Sequence, residues 1–405
     1  MRVDFAPPFI DDDVISEVEK TLRSGWITSG EKVKSLEENI KLYTQTKACI
    51  AVNSWTSGAI LALKWLNLKP NDEVIVPALT YCATALAVIL AGAKPVMVDT
   101  TNDFTIDCEK ISDAINENTK AIIPVDYAGI PCDYIRINEI INSKHARDIY
   151  TPNSDNQKKL GRILLLSDSA HSLGAKICNQ HIASLVDIAV FSFHAVKNIT
   201  AAEGGMICLN LPSNFDIDYE HQWFKIMSLN GQTKDAFTKT RLNSWQYDVR
   251  GVGLKINLPD VCAAIALSQF RRYDFLLQER KKRFEQYNAC LKNYDWAILP
   301  FDTSNEDIEI AYHLYPLRIK NISVQQRNEI IQILAQQNIA TNVHYLPLPE
   351  LTVFKNLGYQ ISDYPIAKTT FEHEITLPLY PQLTEQQVNY VLENLILAVE
   401  KVTKK

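Results

Sequence analysis

Between residues 48 and 209, short apolar runs alternate with stretches of helical spacing, and this rhythm constrains the fold more than any other feature of the chain. Residues 48–52, 73–76, 95–98, 121–125 and 163–166 are predicted strands, mostly apolar and therefore buried on both faces. Between them the spacing predicts helices over 59–66, 84–90, 108–115 and 135–141. Strands of this kind, each followed by a helix, build a mostly parallel sheet covered on both sides, so the reading is an α/β fold.

The flanks differ. An acidic first turn opens a predicted helix over 12–24, and a second is expected over 31–44, after the glycine-bounded loop Ser24 to Gly30. Residues 142–162 are polar and unpatterned and read as a surface excursion. Beyond about residue 210 the alternation weakens. Residues 220–258 are rich in aromatic and polar side chains with little periodicity, and 259–290 reads as one long amphipathic helical stretch with Asp260 near its start. A strand over 312–319 and helices over 324–337 and 388–402 complete a separate α+β lobe. The expected division is a large domain over 1–250, its N-terminal segment packing on the other lobe, and a small C-terminal domain over 251–405. At 405 residues there is enough chain for two cores.

The net charge of −6 argues against nucleic acid or an anionic membrane surface as the main partner. No apolar run reaches the length of a membrane span, and the acidic N-terminus is unlike a signal peptide, so the cytoplasm is the expected location. The eight cysteines are scattered, with no C-x-x-C pair, and read as reduced core thiols. No histidine spacing matches a metal site, and no metal is expected. Neither G-x-G-x-x-G after a strand nor a P-loop is present, so dinucleotide and P-loop nucleotide chemistry lose support.

Chemistry concentrates in Asp187 to Met206, DIAVFSFHAVKNITAAEGGM, which reads as strand, loop, strand with Lys197 at the turning point. A lone lysine is ordinarily a solvated surface charge. Here small, apolar and glycine neighbours imply partial burial, and a desolvated amine is a nucleophile toward carbonyls. Asp168 ends the apolar run before it, at the strand edge where open α/β sheets bind ligands. An acid there is as readily a helix cap. Its alternative role is to keep a pyridinium protonated while the lysine bonds the same cofactor's aldehyde. Asn53 to Gly58, NSWTSG, lies between strand and helix; it is either a plain N-cap or an anion site made of hydroxyls and free N–H groups. Ser192 adds a hydroxyl beside the lysine loop, and Tyr81 ends another strand where its ring can stack on a flat ligand.

Taken together the segments resemble the DegT/DnrJ/StrS family of pyridoxal-phosphate sugar aminotransferases, nearly end to end. The resemblance rests on SGWITSG from Ser24, DEVIVPALTYCATALAVILAGAKPVMVD from Asp72, SDSAHSLGA from Ser167 and FSFHAVKNITAAEGGM from Phe191. It continues through GLKINLPDVCAAIALSQF from Gly253, NVHYLP from Asn342 and LPLYPQLTEQQ from Leu377. It implies a fold-type-I architecture, with a seven-stranded mixed sheet in the large domain, a smaller C-terminal α+β domain, and a homodimer with shared active sites. It implies pyridoxal 5′-phosphate as cofactor, with Lys197 as the Schiff-base lysine, Asp168 on the pyridine nitrogen and His171 near the ring hydroxyl. By the same resemblance Tyr81 stacks on the ring, Thr56, Ser57 and Ser192 meet the phosphate, and Lys255 reaches the phosphate of the neighbouring subunit.

Two positions depart from the family pattern: Lys255, where many relatives carry asparagine, and Trp55, where glycine is common. Members with histidine in place of the lysine are dehydratases; Lys197 therefore favours transamination. The lysine loop and SGWITSG most resemble enzymes that make 4-amino-4-deoxy sugars on a uridine nucleotide. The expected reaction moves an amino group from an amino acid, L-glutamate by analogy, to a keto sugar on a nucleotide diphosphate. Trp26, Arg250, His344 and Tyr345 are candidates for the nucleotide end. The alternatives are the same chemistry on a cyclitol ketone, or a non-catalytic sensor on the same fold.

Overall fold

The computed structural model describes residues 1–234, 245–302 and 305–403. Its centre is a seven-stranded mixed sheet made of β1 (Ala48–Val52), β2 (Glu73–Pro77), β3 (Lys94–Val98), β4 (Thr119–Ile122), β5 (Leu164–Asp168), β6 (Ile188–Ser192) and β7 (Gly205–Leu209). The spatial order is β1-β7-β6-β5-β4-β2-β3. Neighbours from β3 to β6 pair in parallel, whereas β7 pairs antiparallel with both β6 and β1. Only β7 therefore opposes the rest.

Burial of both faces explains the mostly apolar strands. Along β6, Ile188 and Val190 join one core cluster while Ala189 and Phe191 join the other, as the two-residue period of a strand requires. The first cluster continues into the C-terminal lobe, through Leu317, Ile375, Leu395 and Val399. There a three-stranded antiparallel sheet, with Tyr315–Ile319 between Ala297–Ile298 and Glu374–Leu377, is backed by helices Val324–Gln336 and Glu385–Thr403. Val3 near the N-terminus exchanges backbone hydrogen bonds with Asn338 and Ala340 of this lobe. Among the described residues no helix is long and apolar enough to cross a membrane.

Several elements differ from the sequence expectation. The excursion over 142–162 carries two short helices, Lys144–Ile149 and Asp155–Leu160, capped by Ser143 and Ser154. Helix Ile217–Met227 occupies part of the stretch read as unpatterned; residues 235–244 of that stretch lie outside the described residues. The expected single helix over 259–290 is two, Asp260–Phe270 and Tyr273–Leu291, because Arg272 leaves helical geometry (φ −122°, ψ 19°). There its guanidinium pairs with Asp11 and Asp13, which ties the corner to the N-terminal helix α1 (Asp12–Arg23).

Asp260 has a structural role that its position in the sequence does not announce. Helix α2 (Glu31–Thr44) begins at Gly30, which has no side chain to cap it. The buried Asp260 carboxylate does so from across the chain, accepting N–H bonds from Gly30 (2.8 Å), Val33 (3.0 Å) and Lys32 (3.2 Å). Substituting Asp260→Ala strands three donors, and is expected to lower stability by about 3 kcal/mol in urea unfolding.

Candidate active site

The carboxyl ends of the parallel strands converge on one cavity of about 430 Å³. The loops after β1, β2 and β5 supply Ser54, Tyr81 and His171 to its lining, the helix after β1 supplies Trp55 and Thr56, β5 and β6 end in Asp168 and Ser192, and the β6–β7 loop supplies Lys197. The lobe contributes His344 and Tyr345.

Asp168 is the last residue of β5 and is buried. One carboxylate oxygen accepts from Thr84 Oγ1 at 2.8 Å and the other from the Ala170 N–H at 3.3 Å. Burial nevertheless raises its pKa to about 7, against the pull of those bonds and of Lys197. Lys197 is half-buried as a residue but its amine is enclosed, and burial lowers its pKa to about 8, with Asp168 opposing. Amine and carboxylate, distant in the chain, thus face one enclosed space, each held away from its charged form. A cationic N–H against Asp168 would reverse its shift, so the pair suits a pyridinium-bearing ligand.

Beside them lies an anion cradle. Helix α3 (Trp55–Leu66) starts four residues earlier than its apolar pattern predicts, because Ser54 caps it by accepting from the Ser57 N–H. That leaves the first-turn N–H groups of Trp55 and Thr56 without an intrahelical acceptor, next to the Ser192 hydroxyl. Gly205 makes room for this turn: a Cβ there would stand 2.8 Å from the Ser54 carbonyl carbon.

His171 is buried, and both ring nitrogens are engaged. Nδ1 accepts from the Ala128 N–H at 3.2 Å, so its proton sits on Nε2, 3.2 Å from the Tyr345 hydroxyl. Burial and the nearby Lys197 charge push its pKa well below the usual imidazole range. Burial likewise takes His344 down to about 3, while its Nδ1 meets Thr376 Oγ1 at 2.8 Å. Tyr81 is exposed toward the opening, its ring 5.7 Å from that of Tyr345.

Of the residues singled out from the sequence, Thr56, Tyr81, Asp168, His171, Ser192, Lys197, His344 and Tyr345 come together here. Ser57, Trp26, Arg250 and Lys255 do not line this cavity. Ser57 is occupied with the Ser54 cap, and the Trp26 indole donates to the Ser29 carbonyl at 3.2 Å. Arg250 is exposed, and exposed Lys255 bonds Asn257 along a second cleft with Thr28, Ser29 and Lys225. Sequence reasoning placed Ser54 in the NSWTSG turn, as part of an N-cap or an anion site, and missed Thr84. Thr84 lies one helical turn after Thr80, whose hydroxyl it also meets at 3.1 Å, and that i, i+4 spacing was the available signal.

One cavity thus brings together an enclosed amine, a buried acid and the N-terminal turn of α3, a set compatible with carbonyl–amine chemistry. The chain belongs to the DegT/DnrJ/EryC1/StrS aminotransferase family, whose model matches residues 8–150 and 154–396. Spr1654 of Streptococcus pneumoniae, assigned as a sugar aminotransferase and known in PMP and PLP forms, is 44% identical in its PMP form. That match covers 99% of this chain and 100% of the other, with a TM-score of 0.94. The spore coat polysaccharide biosynthesis protein SpsC of Bacillus subtilis is 32% identical over 96% of this chain and 95% of its own. Helicobacter pylori PseC, an aminotransferase of pseudoaminic acid biosynthesis, shares the fold at 24% identity and a TM-score of 0.85, covering 99% of this chain and 100% of its own.

Proposed function

We propose that this pyridoxal-phosphate-dependent sugar aminotransferase takes its amino group from L-glutamate and delivers it to a keto sugar carried on a nucleotide diphosphate, for surface polysaccharide synthesis. The carrying observation is that Lys197 and Asp168 line one cavity with the α3 cradle. The polysaccharide role of SpsC and the sugar aminotransferase assignment of Spr1654 support the substrate class.

In this reading Thr56, Ser192 and the first-turn N–H groups of α3 hold the phosphate, Ser57 fixes that turn, and Tyr81 walls one face of the ring. Lys197 holds the carbonyl carbon, Asp168 keeps the ring nitrogen protonated, and His171 meets the ring edge. Lys255 reaches the phosphate of a partner subunit's site in a homodimer, while Trp26, Arg250, His344 and Tyr345 serve the nucleotide end. Bound there, pyridoxal phosphate supplies an electron-accepting ring that makes a C–H bond beside nitrogen acidic. Lys197 Nζ, when not bonded to the cofactor, would be placed to take that proton and return it one carbon away. Asp168 holds its proton partner throughout, and the lobe's His344 and Tyr345 narrow the cavity mouth against water.

The pKa of Lys197 sets a first check. With its amine neutral above about 8, capture of pyridoxal phosphate by cofactor-free protein should accelerate about tenfold per pH unit below that value and level off above it. Stopped-flow absorbance reads this directly. The substrate is tested by incubating the loaded enzyme with glutamate and a panel of keto sugar nucleotides, read by mass. The expected product is the amino sugar nucleotide together with 2-oxoglutarate; turnover of free keto sugars or cyclitols alone would overturn the nucleotide assignment.

A further inference from the structure

One buried histidine has no part in the scheme above. His313 does not line the cavity, yet its ring lies 4.3 Å from that of His171, tilted by 41°. Its N–H donates to the Ala128 carbonyl at 3.0 Å, and the Ala128 N–H is the donor to His171 Nδ1. Ala128 (φ 58°) and Tyr312 (φ 48°), which precedes His313, both hold left-handed backbone that non-glycine residues seldom adopt. On its other side His313 Nδ1 meets Asn198 Oδ1 at 2.9 Å. The Asn198 amide nitrogen donates to the Ala311 carbonyl at 2.6 Å, so its oxygen is the atom facing the imidazole, and His313 must carry its proton on Nδ1. Asn198 is the residue after Lys197. A continuous set of bonds and ring contacts therefore runs from the lysine loop through His313 to His171, and on to Tyr345.

We propose that Asn198 and His313 form a positioning clamp for transamination: they lock the Lys197 loop against His171 and keep His171 neutral, its proton on Nε2 toward the cavity. This rests on the reading that His171 and Lys197 meet the cofactor. The clamp matters because a protonated His171 would set a second cation beside Lys197 and compete for the charge of Asp168. The titratable and charged groups facing His313 are His171, Lys197, His344 and Arg280, with Tyr273 against Asn198. Only a neutral His313 is compatible with four cationic or potentially cationic neighbours around it. Groups that orient a contact residue commonly alter rate about 10–100-fold when removed.

The test uses the cofactor-loaded enzyme with His313→Ala, His313→Gln, Asn198→Ala and the Ala–Ala double variant. His313→Ala opens space for water beside His171, which can then take a proton. It is expected to retain cofactor, to lose about 10–100-fold in kcat with KM for glutamate within about threefold, and to move the pH midpoint of the visible absorbance downward. Glutamine can still donate to Asn198 and should restore most of both. The double variant should fall no further than either single one, as members of one unit do. A wild-type absorbance titration in His313→Ala overturns the clamp, as does additive loss in the double variant with a static midpoint. Should His313→Ala fail to fold, His313→Gln and Asn198→Ala decide it by the same midpoint. A visible band that survives both Lys197→Ala and dialysis overturns the site reading beneath the clamp. A band lost in Lys197→Ala alongside an inert His313 overturns the clamp alone.

Discussion

Lys197→Ala is expected to lose the covalently held cofactor and at least about 10³-fold in turnover, because in the proposed scheme one side chain supplies both the nucleophile and the proton shuttle. The cavity retains its acid and its phosphate cradle, so pyridoxal phosphate should still bind, reversibly, and wash out on dialysis. Lys197→Arg separates charge from nucleophilicity. A guanidinium stays protonated in proteins and cannot capture a carbonyl, yet it preserves a cation opposite Asp168. It should therefore fold and bind cofactor while remaining as inactive as the alanine variant. Borohydride treatment followed by intact mass gives the readout: wild type gains a fixed adduct and neither variant does. An adduct persisting in Lys197→Ala would move the chemistry to another lysine and dissolve the assignment.

How much of this was visible in the sequence depends on where the determining forces act. Strands β1 to β7 declare themselves because burial on both faces makes them mostly apolar, and Asp168 and Lys197 declare themselves as charges at the end of β5 and in the small-residue loop after β6. The polar helices over 144–149 and 155–160 have no apolar stripe to advertise them; their signals are the caps Ser143 and Ser154 and the closing Gly161, each a common surface residue. Helix Ile217–Met227 hides its pattern among Asp218, Glu220, His221 and Lys225, one of which, Glu220, is buried because it accepts from the Trp65 indole. The corner at Arg272 contains neither glycine nor proline and is set by Asp11 and Asp13 from the far end of the chain. For the site the divide is the same. Residues on strand ends and their loops were legible, whereas Thr84, Asn198 and His313 act through neighbours that only the folded chain brings near.

Asp168→Asn carries the second large effect, and it acts in two directions. Asparagine keeps the shape and can still accept from Thr84 Oγ1, but it has no charge to hold a pyridinium proton, so kcat should fall about 10²–10³-fold while cofactor remains attached to Lys197. Stability should move the other way. Burial raises the folded pKa of Asp168 from 3.8 to about 7, so between those values the folded, cofactor-free protein holds a proton that the unfolded chain releases. Its contribution to stability therefore declines as pH rises through that window, by roughly 4 kcal/mol at most, and stays lost above it. The neutral amide escapes this penalty. Cofactor-free Asp168→Asn should melt above cofactor-free wild type at pH values beyond about 7, with the advantage shrinking toward about 4. Bound cofactor reverses the order, because its ring nitrogen compensates the carboxylate and cannot compensate the amide. Thermal melts of both proteins, with and without pyridoxal phosphate, separate a residue retained for chemistry at the expense of stability from a simple cap. A cap would lose stability on substitution under every condition, and that outcome would remove Asp168 from the mechanism.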